Sequence, residues 1–259
     1  MEEFRKKKGF LCDMDGVIYH GNRLLPGVKE FVDWLYKEEK EFLFITNSSM
    51  KSPKELQQKL ERMGLDVDES HYYTSAQATA QFISSQKPNC SAYVIGDPGL
   101  FLALSEEGIT NNSINPDYVI VGETNNYNYE NICQAVHHVL NGAKLIGTNA
   151  DLTTPVENGL IPACRAWISP IEMATGKQAY FVGKPNPLMM RTGLKMLGVH
   201  SHEAAIIGDR MDTDIIAGIE TGVDTCMVLS GVTTEKRMQE YPFRPRLVLN
   251  GVGDIVLRN

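Results

Sequence analysis

The chain has 259 residues, 42% hydrophobic and 22% charged, with a net charge of −7, enough apolar content for one large globular domain or two modest ones. The acidic balance argues against nucleic acid as a partner, because a protein that grips phosphate backbones needs a basic face. No apolar run approaches the roughly 18 residues of a membrane span, and five scattered cysteines without a CxxC pair argue against a disulfide framework or a zinc site.

Arg5-Lys6-Lys7-Lys8 precedes an apolar stretch too short for a signal peptide and reads as a solvated tail. These features predict a soluble, cytoplasmic protein with no membrane partner. Continuous apolar runs then recur along the chain: Phe10-Leu11-Cys12, Phe42–Ile45, Tyr93–Ile95, Tyr118–Val121, Leu145-Ile146, Tyr180–Val182, Ala205–Ile207 and Cys226–Leu229. Such runs predict strands covered on both faces. Helical patterns lie between them. Val28, Phe31, Val32 and Leu35 share one helix face. Ser52-Pro53-Lys54-Glu55 is a capping box opening a helix with Leu56, Leu60 and Met63. Asn186-Pro187 opens another, carrying Leu188, Leu194 and Leu197 and closed by Gly198. The alternation predicts βαβ units and a mainly parallel sheet. Residues 78–179 alternate more weakly, with connectors rich in Asn, Pro and Gly, and read as a second α/β domain inserted into the first. The predicted layout is a core over 1–77 and 180–259, interrupted by that insert.

Chemistry gathers just after four of the runs: Asp13, then Thr46 and Asn47, then Lys184, then Asp209 with Asp212 and Asp214 behind it. In a parallel sheet the C-terminal strand ends share one edge, where open α/β folds bind ligands. Asp13 and Asp15 are two apart, so an extended backbone points both the same way, and Gly16 then permits a sharp turn. Carboxylates this close repel and call for a hard dication; oxygen-only donors favour Mg²⁺ over zinc or copper. Thr46 and Lys184 add a hydroxyl and a cation, as a phosphoryl group requires. The set describes phosphoryl transfer through a carboxylate nucleophile.

The segments "DMDGVIY", "FITNSS", "GKPNP" and "IIGDRMDTDIIAG" resemble, in order and spacing, the four motifs of the haloacid-dehalogenase-like hydrolases. Within them the chain is similar to the NagD type, nitrophenylphosphatase-like enzymes with a large α/β cap, as "NPDYVIVGET", "GTNAD", "GLIPAC" and "PFRP" also indicate. The resemblance implies a Rossmann-like core with an inserted α/β cap and a Mg²⁺-dependent phosphomonoesterase acting on small phosphorylated metabolites, nucleoside monophosphates or sugar phosphates among them. It implies that Asp13 is the nucleophile and that Asp15 is general acid and then base. Thr46 and Lys184 hold the phosphoryl group, and Asn47 and Gly16 line the phosphate loop. Asp13, Asp209 and the backbone carbonyl of Asp15 hold Mg²⁺, with Asp214 an outer carboxylate. A phosphotransferase using the same intermediate is the alternative among enzymes, and a catalytically silent binding protein the alternative outside them. A homo-oligomer is compatible with all of these.

Arg165 departs from the pattern. It stands in a turn that faces the active site in the family, where the NagD branch usually carries a small residue. It is a candidate for substrate specificity, against the plainer reading of a side chain turned to solvent. Other polar residues have plain readings: Asp212 as a helix N-cap, His200 and His202 in a solvated loop, His137 and His138 at the surface or in packing. The cysteines read as small core residues. Tyr127 and Tyr129 could serve packing, a subunit contact or a substrate ring.

Overall fold

The computed structural model describes residues 1–156 and 159–256. It divides into two compact units. The first comprises Met1–Thr46, Leu56–Tyr73 and Lys184–Asn259; the second comprises Asn47–Glu55 and Thr74–Gly183.

The first unit is built on a six-stranded sheet. Its spatial order is Leu247–Leu249, Asp224–Val228, Ala204–Gly208, Gly9–Asp13, Glu41–Thr46 and Tyr72–Thr74. The pairings of Gly9–Asp13 with both neighbours are parallel, as are those leading out to Leu247–Leu249. Strand Gly9–Asp13 is buried at every position, as a run covered on both faces should be. One face is covered by helix Val28–Lys37, which buries Val28, Phe31, Val32 and Leu35. The capping box of helix Pro53–Arg62 is present: the Ser52 N–H donates to Glu55 Oε2 at 2.8 Å and the Glu55 N–H to Ser52 Oγ at 3.3 Å. Helix Pro187–Leu197 starts on the Asn186 side chain, which accepts the Leu188 N–H, and ends at Gly198 with φ +66°.

The second unit carries a five-stranded parallel sheet in the order Tyr180–Phe181, Lys144–Gly147, Tyr118–Val121, Ser91–Ile95 and Thr110–Asn111. A two-stranded hairpin, Thr153–Val156 with Gly159–Pro162, stands apart from it. Both units are therefore α/β, and the second interrupts the first in the chain.

Three expectations are revised. Tyr180–Phe181 belongs to the second unit's sheet, since Tyr180 pairs with Ile146, so the second unit's long segment runs over Thr74–Gly183, with Asn47–Glu55 joined to it. Four cysteines are buried, but Cys133 is exposed on helix Tyr129–Leu140. The basic N-terminal run is not simply solvated: Lys7 pairs with Asp224 at 2.8 Å and Lys8 pairs with Glu203. Among the described residues no helix is long and apolar enough to cross a membrane.

Candidate active site

The site grows from the register of the first unit's sheet. Cys12 lies opposite Ile207 and Asp13 opposite Ile45. Asp13, Thr46 and Asp209 therefore leave three neighbouring strands at one edge. Thr46 ends strand Glu41–Thr46 and is buried, and Asp209 follows Gly208 directly.

Lys184 reaches this edge from outside the sheet. It is 2% exposed, and its Nζ donates to Asp13 Oδ1 and to Asp214 Oδ1, each at 2.7 Å. Burial alone would drive the ammonium to lose its proton, but the charges of Asp13 and Asp214 outweigh it and hold the lysine pKa above its usual value. Lys184 is thus a fixed cation. Asp13, Asp209 and Asp214 offer carboxylate oxygens all within 4.8 Å of one another. Burial raises the pKa of Asp209 well above the ordinary carboxylate range, and the charges of Asp13 and Asp214 raise it further. Burial lifts Asp214 to about 6, with Lys184 opposing.

Asp209 is held on one oxygen only. Its Oδ2 accepts the Val232 N–H at 2.6 Å, while its Oδ1, also buried, has no hydrogen-bond partner among the described residues. A buried carboxylate oxygen without a donor is costly unless something positive faces it. Gly16 and Gly231 make this geometry accessible. A Cβ on Gly16 would fall 2.5 Å from Asp209 Oδ2, and one on Gly231 only 2.0 Å from it; Gly16 also has φ +80°. Gly16 thus stands against Asp209, and the Ser230 hydroxyl pins its carbonyl at 2.7 Å.

Asp15 differs from its neighbour. Its side chain keeps about half of its surface exposed (51%), yet the protein around the carboxyl is close enough that burial raises its pKa, against the lowering influence of Lys59 and His20. The backbone folds back at this point: Asp15 bridges to Tyr19, and the Gly16 N–H donates to the Tyr19 carbonyl at 2.8 Å.

Asn47 belongs to the second unit. Its side chain donates to Asp151 Oδ2 at 2.9 Å, and its carbonyl accepts from Ser75 Oγ and Asn149 Nδ2. The adjoining Ser49 exchanges bonds with Glu123, its N–H donating to Oε2 at 3.2 Å and its Oγ accepting the Glu123 N–H at 3.1 Å. Burial pushes the Glu123 carboxyl up to about 7. Arg165 is not turned out to solvent. Its guanidinium pairs with the buried Glu172 and lies 5.2 Å from the centre of the Phe181 ring. Tyr127 packs on Trp167 and donates to its carbonyl, whereas Tyr129 is exposed.

Asp212 is not an N-cap. It lies inside a wide helical turn, Met211–Ile215, and its carboxylate takes both Nε and Nη2 of Arg210 at 3.1 and 3.0 Å. Arg210 precedes the turn, and Asp214 reaches back to it, its Oδ2 accepting the Arg210 N–H at 3.1 Å. His200 and His202 are exposed and stack on one another, but His202 lies within the single 3₁₀ turn Ser201–Glu203 that His200 precedes, not in a loop. Lys59, His20 and Glu123 were not singled out by the sequence: Lys59 and Glu123 owe their places to partners from distant segments, and His20 meets Asp15 only because the chain folds back after the first strand.

Two family models match the chain: haloacid dehalogenase-like hydrolase over residues 10–110, and a HAD-hydrolase-like model over residues 181–255. The chain is 41% identical to a dihydroxyacetone phosphatase of Corynebacterium glutamicum, over 95% of this chain and 90% of that one. It is 38% identical to the ribonucleotide monophosphatase NagD of Escherichia coli, over 96% and 98%. The solved structure of E. coli NagD superposes with a TM-score of 0.91 over 97% of this chain and 100% of that one. The 4-nitrophenylphosphatase of Thermotoga maritima superposes with a TM-score of 0.94 at 30% identity, over 98% of each chain. Sheet order, strand-end carboxylates and these likenesses agree: the chain belongs to the haloacid dehalogenase-like hydrolases, among the phosphatases of the NagD type.

Proposed function

We propose that this chain is a Mg²⁺-dependent phosphomonoesterase that works through a phosphorylated Asp13. The observation that carries the reading is the buried grouping of Asp13, Asp209 and Asp214 around Lys184, with one Asp209 oxygen lacking a donor among the described residues. Three carboxylates against one ammonium leave excess negative charge, and a hard oxygen donor set suits Mg²⁺ better than zinc or copper. Asp13 and Asp209, with the backbone carbonyl of Asp15, would hold the ion, and Asp214 adds a further carboxylate beside them. When bound, the ion would offset the charge of the phosphoryl group facing an anionic nucleophile.

In this reading an Asp13 oxygen attacks phosphorus, and the bond from phosphorus to the ester oxygen breaks. Asp15 gives its proton to that oxygen as the alcohol leaves. Asp15, now a carboxylate, takes a proton from water. That water attacks the phosphorus of the aspartyl-phosphate and inorganic phosphate departs, returning Asp13. The raised pKa of Asp15 supports the acid role, because a protonated fraction must exist. Thr46 and Lys184 steady the phosphoryl oxygens, with Asn47 and Gly16 in the flanking loop. Relatives named dihydroxyacetone phosphatase and ribonucleotide monophosphatase support small phosphorylated metabolites as substrates. The buried thiols and the absence of any disulfide among the described cysteines suit a reducing cytoplasm.

The test is turnover of 4-nitrophenyl phosphate by the purified protein, before chelation, after EDTA and after Mg²⁺ is returned. Activity should vanish and come back, and Asp13→Asn should abolish it while the protein still folds. Activity that survives chelation removes the metal from the reading, and transfer to added glycerol in excess of transfer to water makes the enzyme a phosphotransferase. A panel of phosphorylated metabolites, read by phosphate release, then names the substrate.

A further inference from the structure

Helix Pro53–Arg62 turns Leu56 and Leu60 into the first unit's core and leaves Lys59 beside them, half-buried. The Lys59 ammonium lies 3.6 Å from the centre of the Tyr19 ring. Tyr19 is buried, and its backbone is the one that bridges to Asp15. The turn after the first strand therefore carries Asp15 and Tyr19 together to the place where this helix delivers a cation. His20 follows, its Nδ1 3.7 Å from Asp15 Oδ1. A cation on an aromatic face is held in place, and partial burial lets its charge act over less water than a surface lysine's does.

Asp15 hands its proton to the ester oxygen, so the carbon bearing that oxygen, with its first substituents, must come within a few bond lengths of the Asp15 carboxyl. Lys59 sits on the ring of Tyr19, the residue bridged to Asp15, and that seat puts its ammonium in range of the same atoms. We propose that Lys59, together with His20 at the Asp15 carboxylate, is a specificity residue that selects phosphate monoesters whose alcohol carries an anionic group next to the ester carbon. The proposal rests on the reading of Asp15 as the general acid. It narrows the substrate class from small phosphates at large to those with a carboxylate or second phosphate near the cleaved bond.

The test compares 2-phosphoglycerate with glycerol 2-phosphate, two esters of one skeleton that differ in a carboxylate beside the ester carbon. The parent should prefer 2-phosphoglycerate. Lys59→Met keeps the stem on Tyr19 and removes the charge; it should cut the ratio of the two kcat/KM values by about tenfold or more, chiefly through KM for 2-phosphoglycerate. Lys59→Arg should keep the preference. A parent with no preference overturns the proposal. So does an equal loss on both substrates in a folded Lys59→Met protein, which would make Lys59 a positioning residue for Asp15. The general-acid reading fails separately, if Asp15→Asn loses as much on 4-nitrophenyl phosphate as on glycerol 2-phosphate.

Discussion

Lys184 meets Asp13 across 171 positions of sequence, Nζ to Oδ1 at 2.7 Å, in a place where the lysine is 2% exposed. The same ammonium holds Asp214 at 2.7 Å, so one buried cation stands against three buried or nearly buried carboxylates. Removing it leaves charges that neither water nor protein neutralises. Lys184→Met should destabilise the metal-free protein by about 3–5 kcal/mol at neutral pH. Urea unfolding reads this directly, and a change under about 1 kcal/mol would mean that water reaches the carboxylates freely.

Asp15 should reveal its role through the leaving group. Asp15→Asn cannot donate a proton, and a nitrophenolate departs without much help whereas an alkoxide does not. The loss in kcat should therefore be at least about tenfold larger for an alkyl phosphate than for 4-nitrophenyl phosphate. Equal losses would leave Asp15 a structural group or a metal-side carbonyl.

Glu123 predicts a pH dependence of stability that originates in the second unit. Its pKa is raised by burial to about 7, so the folded state favours the neutral acid. That contribution is complete below the ordinary glutamate range and is lost as pH rises through about 7. From pH 5 to pH 8 it should remove about 1–3 kcal/mol, the lower end reflecting the water that reaches a half-buried side chain. Glu123→Gln keeps an oxygen for the Ser49 N–H and should flatten this part of the curve. Parallel parent and variant curves in urea unfolding at the two pH values would count against it.

Arg165 and Glu172 should be energetically coupled. The carboxylate is buried and shared, with Oε2 taking the guanidinium and Oε1 the Ala179 N–H at 2.8 Å. Arg165→Ala strands a buried charge and should cost about 1–3 kcal/mol, with the double variant Arg165→Ala/Glu172→Gln losing less than the sum of its parts. Additive losses would show that the pair is incidental. The specificity role that the family resemblance implies for Arg165 gains support only if its removal also raises KM for a preferred metabolite.

Strands covered on both faces announced themselves in the sequence, because such runs need no alternation. Asp13, Thr46 and Asp209 each stand just past the apolar part of a run in one sheet, whereas the run before Lys184 belongs to the other unit's sheet. The same logic put Tyr180–Phe181 in the wrong sheet: two apolar residues specify a strand but not its neighbour, and only the pairing of Tyr180 with Ile146 decides. Asp212 and Asp214 were indistinguishable by type. The wide turn Met211–Ile215 separates them, since both the Asp214 and Ile215 N–H groups converge on the Arg210 carbonyl and the Asp214 side chain swings inward. The helix bearing Lys59 was legible from its capping box, but its aromatic partner comes from a turn that no periodicity marks.

The central strand Gly9–Asp13 is flanked by Glu41–Thr46 on one side and by Ala204–Gly208 on the other. On the ribosome its first neighbour appears almost at once, while the second is made only after the whole continuous stretch Thr74–Gly183 has emerged. At about 5–20 residues per second that interval is on the order of 8 to 32 seconds. For that time the nascent chain keeps one edge of its innermost strand open, a template for pairing with another chain, although the second unit's own sheet is by then complete in sequence. Asp13 is thus made well before the strand that closes the second edge of its own, and the site it shares with Asp209 is among the last things these strands complete.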